Sequence, residues 1–594
     1  MTALKGKARQ FRLVLIKPSH YDDDGYVIQW LRSPIPANSL ACLYGLAMDC
    51  AERRAVGPDV ALDVVAIDET NRRVQPARIA RGIRAAGDGM VMLVGVQSNQ
   101  FPRALDLAAA FRQQGVTVGI GGFHVSGTLA MLPEIDPSVQ KALDLGCFVF
   151  AGEAEEGRLE QVLTHALEGT LEPVYNFMKD LPGIEQVPIP HLPPDVVKRT
   201  YGANSSFDAG RGCPFQCSFC TIINVQGRKS RRRSADDVER IVRRAAQHGL
   251  RRFFITDDNF ARNKDWETIF DRLIEMRERD GIDLSLIIQV DTLCHRLPNF
   301  IEKAARAGVR RVFIGLENIN PDNLAAAKKK QNKITEYRKM LLAWKQAKII
   351  TYCGYILGFP NDTPERIERD IKVAQQELPI DLLEFFFLTP LPGSEDHKGL
   401  HQKGVWMDPD LNKYDLNHAV TGHSTMSQQE WEAAYWRAWE TYYSDEHVER
   451  VMRRAIATGN SAGKVLFVLN WFIGSIRIER IHPLETGFVR RKYRRDRRSG
   501  LPIEPALSFY PRYWTETAVK QLRWLWLWGR MYRRYRQIKR DPASRTYMDA
   551  SLTPAEDDES ERLDLFQTGE AKAYVAQEQR LAKARAGGAK ADAA

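Results

Sequence analysis

Residues 211–220 read Arg-Gly-Cys-Pro-Phe-Gln-Cys-Ser-Phe-Cys. Cys213, Cys217 and Cys220 stand four and then three residues apart, with Phe219 just before the last. Three thiolates on one short loop can hold three irons of a cubane cluster. A closed cluster of this type takes four Cys, so three leave one iron open to a substrate or cofactor. The competing reading is a structural zinc site with a fourth ligand from elsewhere. Zinc ribbons show two separated Cys pairs, and no second pair follows here.

The other cysteines, Cys42, Cys50, Cys147, Cys294 and Cys353, are scattered singly at apolar positions. That is the pattern of buried reduced thiols and not of a disulfide framework. Residues 1–10 are polar and basic, with no signal-peptide core after them. The longest later apolar run, 465–476, is too short to span a bilayer. Both point to a cytoplasmic protein. The length suggests roughly two to four domains. The net charge of +10 is concentrated: residues 477–540 hold 18 Lys and Arg against 5 Asp and Glu, so the remainder is slightly acidic.

From residue 12 to 168 short apolar runs alternate with amphipathic stretches. Strands are expected at 13–17, 63–67, 90–94, 116–120 and 147–150, and helices at 39–53, 76–86, 102–114 and 155–168. The alternation predicts an α/β fold, a parallel sheet with helices on both faces and ligands beyond the carboxyl ends of its strands. The loops there are 96–101, Gly121-Gly122-Phe123-His124 and Gly152-Glu153-Ala154-Glu155. Residues 181–200 contain Pro182, Pro188, Pro190, Pro193 and Pro194 and read as an extended linker.

The alternation resumes at 201, with strands expected at 205–209, 252–256, 284–290, 311–315, 350–357 and 383–388. Asp257 and Asp258 follow the second, Gln289 ends the third and Glu317 follows the fourth. Polar residues at the carboxyl ends of barrel strands point at the active site. Taken singly, the aspartates could instead cap the next helix, and Glu317 could be a solvated helix start.

The Cys loop with Phe219, followed in order by these strand ends, resembles the radical S-adenosylmethionine (SAM) superfamily. The resemblance implies a partial (β/α)6 barrel over 201–425 and a [4Fe–4S] cluster on Cys213, Cys217 and Cys220. It implies SAM chelated by the open iron and contacted by Phe219, Asp257, Asp258, Gln289 and Glu317. One electron, from a donor such as flavodoxin or ferredoxin, would cleave SAM to a 5′-deoxyadenosyl radical. Residues 10–180 resemble the Rossmann-like (flavodoxin-like) cobalamin-binding domain that precedes many such cores. That resemblance rests on Asn99-Gln100-Phe101-Pro102 and the two glycine loops. It implies cobalamin contacts from Asn99, Gly121, Gly122, His124, Gly152 and Glu153. The Asp-x-His-x-x-Gly motif that ligates cobalt from below is absent, as it is from many relatives that still bind cobalamin. The alternative is a domain that has lost cobalamin and serves as packing or as a substrate cap.

Over roughly residues 10–400, the resemblance implies a cobalamin-dependent radical SAM enzyme that methylates an unactivated carbon of a small-molecule or lipid-like substrate. Oxidation, cyclisation or rearrangement would use the same cofactors. RNA methylthiolation shares the Cys loop, but its enzymes carry further cluster cysteines that Cys42, Cys50 and Cys147 do not match. A non-enzymatic cobalamin-binding protein is opposed by the intact triad.

Residues 426–540 read as a mainly helical, basic and aromatic region. Trp431, Tyr435 and Trp439 share a face suited to packing on the core. A further helix is expected after Pro511. Within 519–540, Trp524, Trp528, Met531, Tyr535 and Ile538 line one face, Leu525 and Tyr532 flank it, and Arg523, Arg530 and Arg534 lie opposite. Such a helix can dock on the core or lie in a membrane interface. Its charge would also suit nucleic acid, which ranks below lipid because Trp prefers the interface. The expected location is the cytoplasm, peripheral to the inner face of the membrane. The polar residues 541–594 are expected to lack fixed structure.

Overall fold

The computed structural model describes residues 9–556 and 559–591. The first sheet comprises β1 (Arg9–Lys17), β2 (Val60–Asp68), β3 (Asp88–Leu93), β4 (Thr117–Gly121), β5 (Phe148–Ala151) and β6 (Val174–Asn176). All are parallel, in the order β2-β1-β3-β4-β5-β6. Leu13, Val14, Leu15 and Ile16 in β1 are all buried because helices cover both faces of the sheet. Strand order reverses between β1 and β3, which places the ligand cleft at their carboxyl ends. The sequence does not signal β6, which has only three residues, nor helices Phe123–Met131 and Pro137–Asp144.

The second sheet comprises β7 (Asn204–Phe207), β8 (Arg252–Ile255), β9 (Ser285–Val290), β10 (Val309–Glu317), β11 (Ile350–Leu357) and β12 (Leu382–Phe387). Each pairs in parallel with its sequence neighbours, and the end strands β7 and β12 do not pair with each other. The result is a partial barrel of six strands, open on one side.

Helix Gln428–Tyr442, capped by Ser427, lies against β12. Tyr435 stacks on Phe387 at 4.2 Å, and Trp439 meets Phe385 edge-on at 5.1 Å. Gly358, at φ +102°, lets the Trp431 indole cover the end of β11.

Three C-terminal expectations are corrected. The long helix spans Ala506–Arg540 and includes Pro511. Pro511 removes one hydrogen bond to the Leu507 carbonyl, and Leu507 is so exposed that water can replace it. Of the stripe read as able to dock on the core or lie in a membrane interface, all but Trp528 pack in or against the core. Met531 and Ile538 are buried, and Trp524 Nε1 donates to Glu479 Oε1 at 3.0 Å. Arg530 and Arg534 are not opposite this face but at its edge, where both pair with Asp445. The tail is also ordered where described. Asp549 pairs with buried Arg454 and Glu559 with buried Arg338, each at 2.7 Å, while Leu565 and Phe566 enter the core. Its polar composition masked this because its charges complement two buried arginines. Among the described residues no helix is long and apolar enough to cross a membrane.

Candidate functional site

The Cys loop leaves β7 through a short hairpin in which Gly210–Arg211 pairs with Arg231–Arg232. Gly212 turns the chain at φ +88°, where a Cβ would come within 2.6 Å of the Lys229 carbonyl oxygen. Cys213 N donates to Gly227 O at 3.2 Å, and Ser218 N to Ala327 O at 3.1 Å. Cys217 is buried, while Cys213 and Cys220 are half-buried. Burial pushes the Cys213 thiol up to about 11 and the Cys220 thiol up to about 12. Gln331 Nε2 lies 3.3 Å from Cys217 Sγ. Lys329 pairs with Glu317, and its ammonium sits 5.6 Å from the Phe219 ring centroid. Burial opposes the charge on Lys329, but Glu317, Cys217 and Cys220 together hold it protonated.

Among the described residues no three His, Cys, Asp or Glu converge on one metal ion. A mononuclear zinc site needs such convergence. A cubane does not, because each thiolate takes a different iron. The three thiols, with a cation beside them to offset thiolate charge, fit a cluster.

A cavity of ≈ 570 Å³ opens beside Phe219. Asp258 and Glu317 line it from the barrel, Gln97 and Asn99 from the first domain, and Asp415 and Glu485 from the C-terminal side. Glu317 is aimed by a local irregularity: its φ is +63°, and the pairing register of β10 with β11 shifts there. Burial raises the Asp258 carboxyl to about 7, so it titrates near neutrality. Of the five residues expected to contact SAM, Phe219, Asp258 and Glu317 line this cavity. Asp257 and Gln289 do not line it. Asp257 accepts from Ala209 N at 2.7 Å and Gly210 N at 2.8 Å, bracing the start of the Cys loop. Gln289 Nε2 donates to the Asp257 carbonyl at 3.2 Å.

A second cavity, of ≈ 160 Å³, lies at the carboxyl ends of β3, β4 and β5 and is lined by Gly121, Gly122, Gly152 and Glu153. It shares Asn38, Ser39, Phe123, Arg211 and Gln226 with the larger one. The two cavities therefore adjoin at the boundary between the first domain and the Cys loop. Gly122 is needed for chain packing as well, since at φ +145° a Cβ would clash with the Val96 backbone. Asn99 lines the larger cavity, with Nδ2 3.4 Å from Glu485 Oε1.

His124 lines neither cavity. It is buried, with Nε2 2.7 Å from Ser138 Oγ and Nδ1 3.1 Å from Ser98 Oγ, and burial lowers its pKa to about 4. Among the described residues no histidine lines either cavity. Glu153 is engaged by Arg211, at 2.6 Å, and by Arg231. Arg211 also binds Glu155 and Asp208, each at 2.7 Å. This network between the domains is not legible in sequence, because its members lie 56 and 58 residues apart. Lys329 is hidden in the run Lys328-Lys329-Lys330, and Glu485 in a basic region.

Residues 209–374 match the family model described as the Radical SAM superfamily. The bacteriochlorophyllide d C-8(2)-methyltransferase of Chlorobaculum tepidum is 27% identical over 356 residues, covering 56% of this chain and 73% of that protein. The hopanoid C-2 methylase of Rhodopseudomonas palustris is 26% identical over 282 residues, covering 46% of this chain and 51% of the relative. The chain thus spans about half the length of some curated relatives and about three quarters of another. The solved structure of the cobalamin-dependent S-adenosylmethionine radical enzyme OxsB with aqua-cobalamin bound superposes with a TM-score of 0.50. At 13% identity, over 96% of this chain and 84% of that one, it shares the fold.

Proposed function

We infer that this chain is a cobalamin-dependent radical SAM enzyme that methylates carbon. One observation carries the reading furthest. The loop bearing Cys213, Cys217 and Cys220 lines, through Arg211, Phe219 and Thr221, a cavity that Gln97, Asn99 and Phe123 of the first domain also line. A radical precursor and a methyl donor can therefore share one chamber.

When bound, the cluster with SAM supplies radical chemistry and the corrinoid supplies a transferable methyl group. The chain's own residues position these groups. Cys213, Cys217 and Cys220 would hold the cluster, and Lys329 would offset the thiolate charge. Phe219, Asp258 and Glu317 would face SAM. Asn99, Gly121, Gly122 and Gly152 would border the corrinoid. The lining side chains Phe313, Ile356, Phe386, Leu388 and Leu391 keep water from the reacting carbon. With Asp415 and Glu485 in the same lining, they suit an apolar substrate carrying a hydrogen-bond donor.

SAM with a deuterated methyl group, added anaerobically with dithionite and a cell lipid extract, tests the reading. Deuterium in a lipid product, absent with Cys217→Ala, supports it. Deoxyadenosine formed with a new product but without S-adenosylhomocysteine would favour oxidation or cyclisation. The electron would come from a flavodoxin- or ferredoxin-type donor in the cytoplasm, where thiols stay reduced.

A further inference from the structure

Helix Ala506–Arg540 carries two apolar stripes. One, through Phe509, Leu527, Met531 and Ile538, is buried against the protein. The other comprises Leu507, Tyr510, Trp514, Leu525, Trp528 and Tyr532, at helical spacings of three and four residues interrupted by Ala518 and Gln521. These side chains face outward, exposed by 91, 48, 62, 67, 39 and 45%. Leu522 and Trp526, at 65 and 62%, widen the patch.

An apolar surface of this length is rare unless something covers it. Charge identifies the cover. Arg523, Arg533, Arg536 and Arg540 are exposed on the same helix and have no carboxylate partner among the described residues. Tryptophan and leucine interleaved with unpaired arginine match the zone where acyl chains meet phosphates. The apolar surface also continues off the helix. Trp524 contacts Trp471 at 6.2 Å, and Trp471 stacks on Phe488, which is 47% exposed. Nearby in sequence, exposed Leu484 precedes Glu485, which lines the larger cavity.

We propose that this outer stripe docks on an anionic lipid bilayer, with Trp514, Leu525, Trp528 and Tyr532 in the interface and Arg523, Arg533, Arg536 and Arg540 on its phosphates. The docking stands apart from the methylation reading.

The test uses the full chain with vesicles of phosphatidylglycerol and phosphatidylcholine, or of phosphatidylcholine alone, in co-sedimentation at low and high salt. Tryptophan quenching by brominated acyl chains is read in parallel. Binding should require the anionic lipid and weaken with salt. It should fall about tenfold or more in Trp514→Ser/Leu525→Ser/Trp528→Ser and in Arg533→Gln/Arg536→Gln/Arg540→Gln. These residues are exposed, so an unchanged melting temperature confirms folding. Absence of wild-type binding, or equal binding by the folded variants, overturns the proposal. So does a dimer that the triple serine variant dissociates, or a higher affinity for RNA than for vesicles.

Discussion

Arg211 Nη1 lies 2.6 Å from Glu153 Oε2, and this bond ties the loop that bears the cysteines to the turn after β5. Arg211 is buried among Glu153, Glu155 and Asp208, and their charges keep it protonated against the cost of burial. The position of the first domain relative to the cluster loop is thus set by ion pairs as well as by apolar contact.

Replacing Arg211 by Ala leaves buried Glu155 without its cation and takes one of two cations from Glu153 and from Asp208. Loss of one partner of a buried pair costs about 3–5 kcal/mol. Thermal unfolding should show that loss, and iron bound per chain after reconstitution should fall. Glu153→Gln, which keeps one acceptor, should cost less.

Lys329→Met leaves half-buried Glu317 without its cation beside the cluster loop. SAM affinity, read by equilibrium dialysis of the reconstituted protein, should fall by about ten- to hundredfold, equivalent to about 1.4–2.8 kcal/mol. The double variant Lys329→Met/Glu317→Gln should recover stability without recovering SAM binding. Full recovery of binding would deny Glu317 a contact.

His124 is bonded to Ser98 and Ser138 and lines neither cavity. His124→Ala should therefore retain corrinoid after gel filtration, with an unchanged visible spectrum. It should lose about 1–3 kcal/mol of stability through the stranded hydroxyls. A spectral shift would instead mark an imidazole on cobalt.

Glu384 in β12 is buried, Oε2 has no hydrogen-bond partner among the described residues, and burial raises its carboxyl from 4.5 to about 8. Between those values the unfolded chain releases the proton and the folded chain keeps it. Stability from this residue therefore falls as pH rises from 4.5 to about 8. Glu384→Gln should be increasingly more stable than the parent from pH 5 to pH 9, measured by urea unfolding (both are approximate working points on that titration).

Much of this was legible in sequence because it is local. All six strands of the barrel and five of the first sheet appear within a few residues of their predicted places. Their apolar runs are short and bounded, and those of β1, β3, β11 and β12 are buried on both faces. The Cys spacing is likewise a local signal. The misreadings were tertiary. Asp257 follows a strand as a ligand contact would, yet its Oδ1 accepts from Ala209 N and Gly210 N and its Oδ2 from Asn263 Nδ2. The long helix has enough circumference for two apolar stripes, and periodicity alone did not tell which one packs. The tail was misread because Arg338 and Arg454, which hold it, lie far away in sequence.

The most direct test is anaerobic. The chain is reconstituted with iron, sulfide and hydroxocobalamin, given SAM and a strong reductant, and assayed for deoxyadenosine, S-adenosylhomocysteine and retained corrinoid. The account predicts retained corrinoid and both products from the parent, and no deoxyadenosine from Cys217→Ala. Deoxyadenosine without retained corrinoid would contradict the shared chamber. No SAM cleavage from a fully loaded cluster, even with lipid extract present, would contradict the enzyme itself.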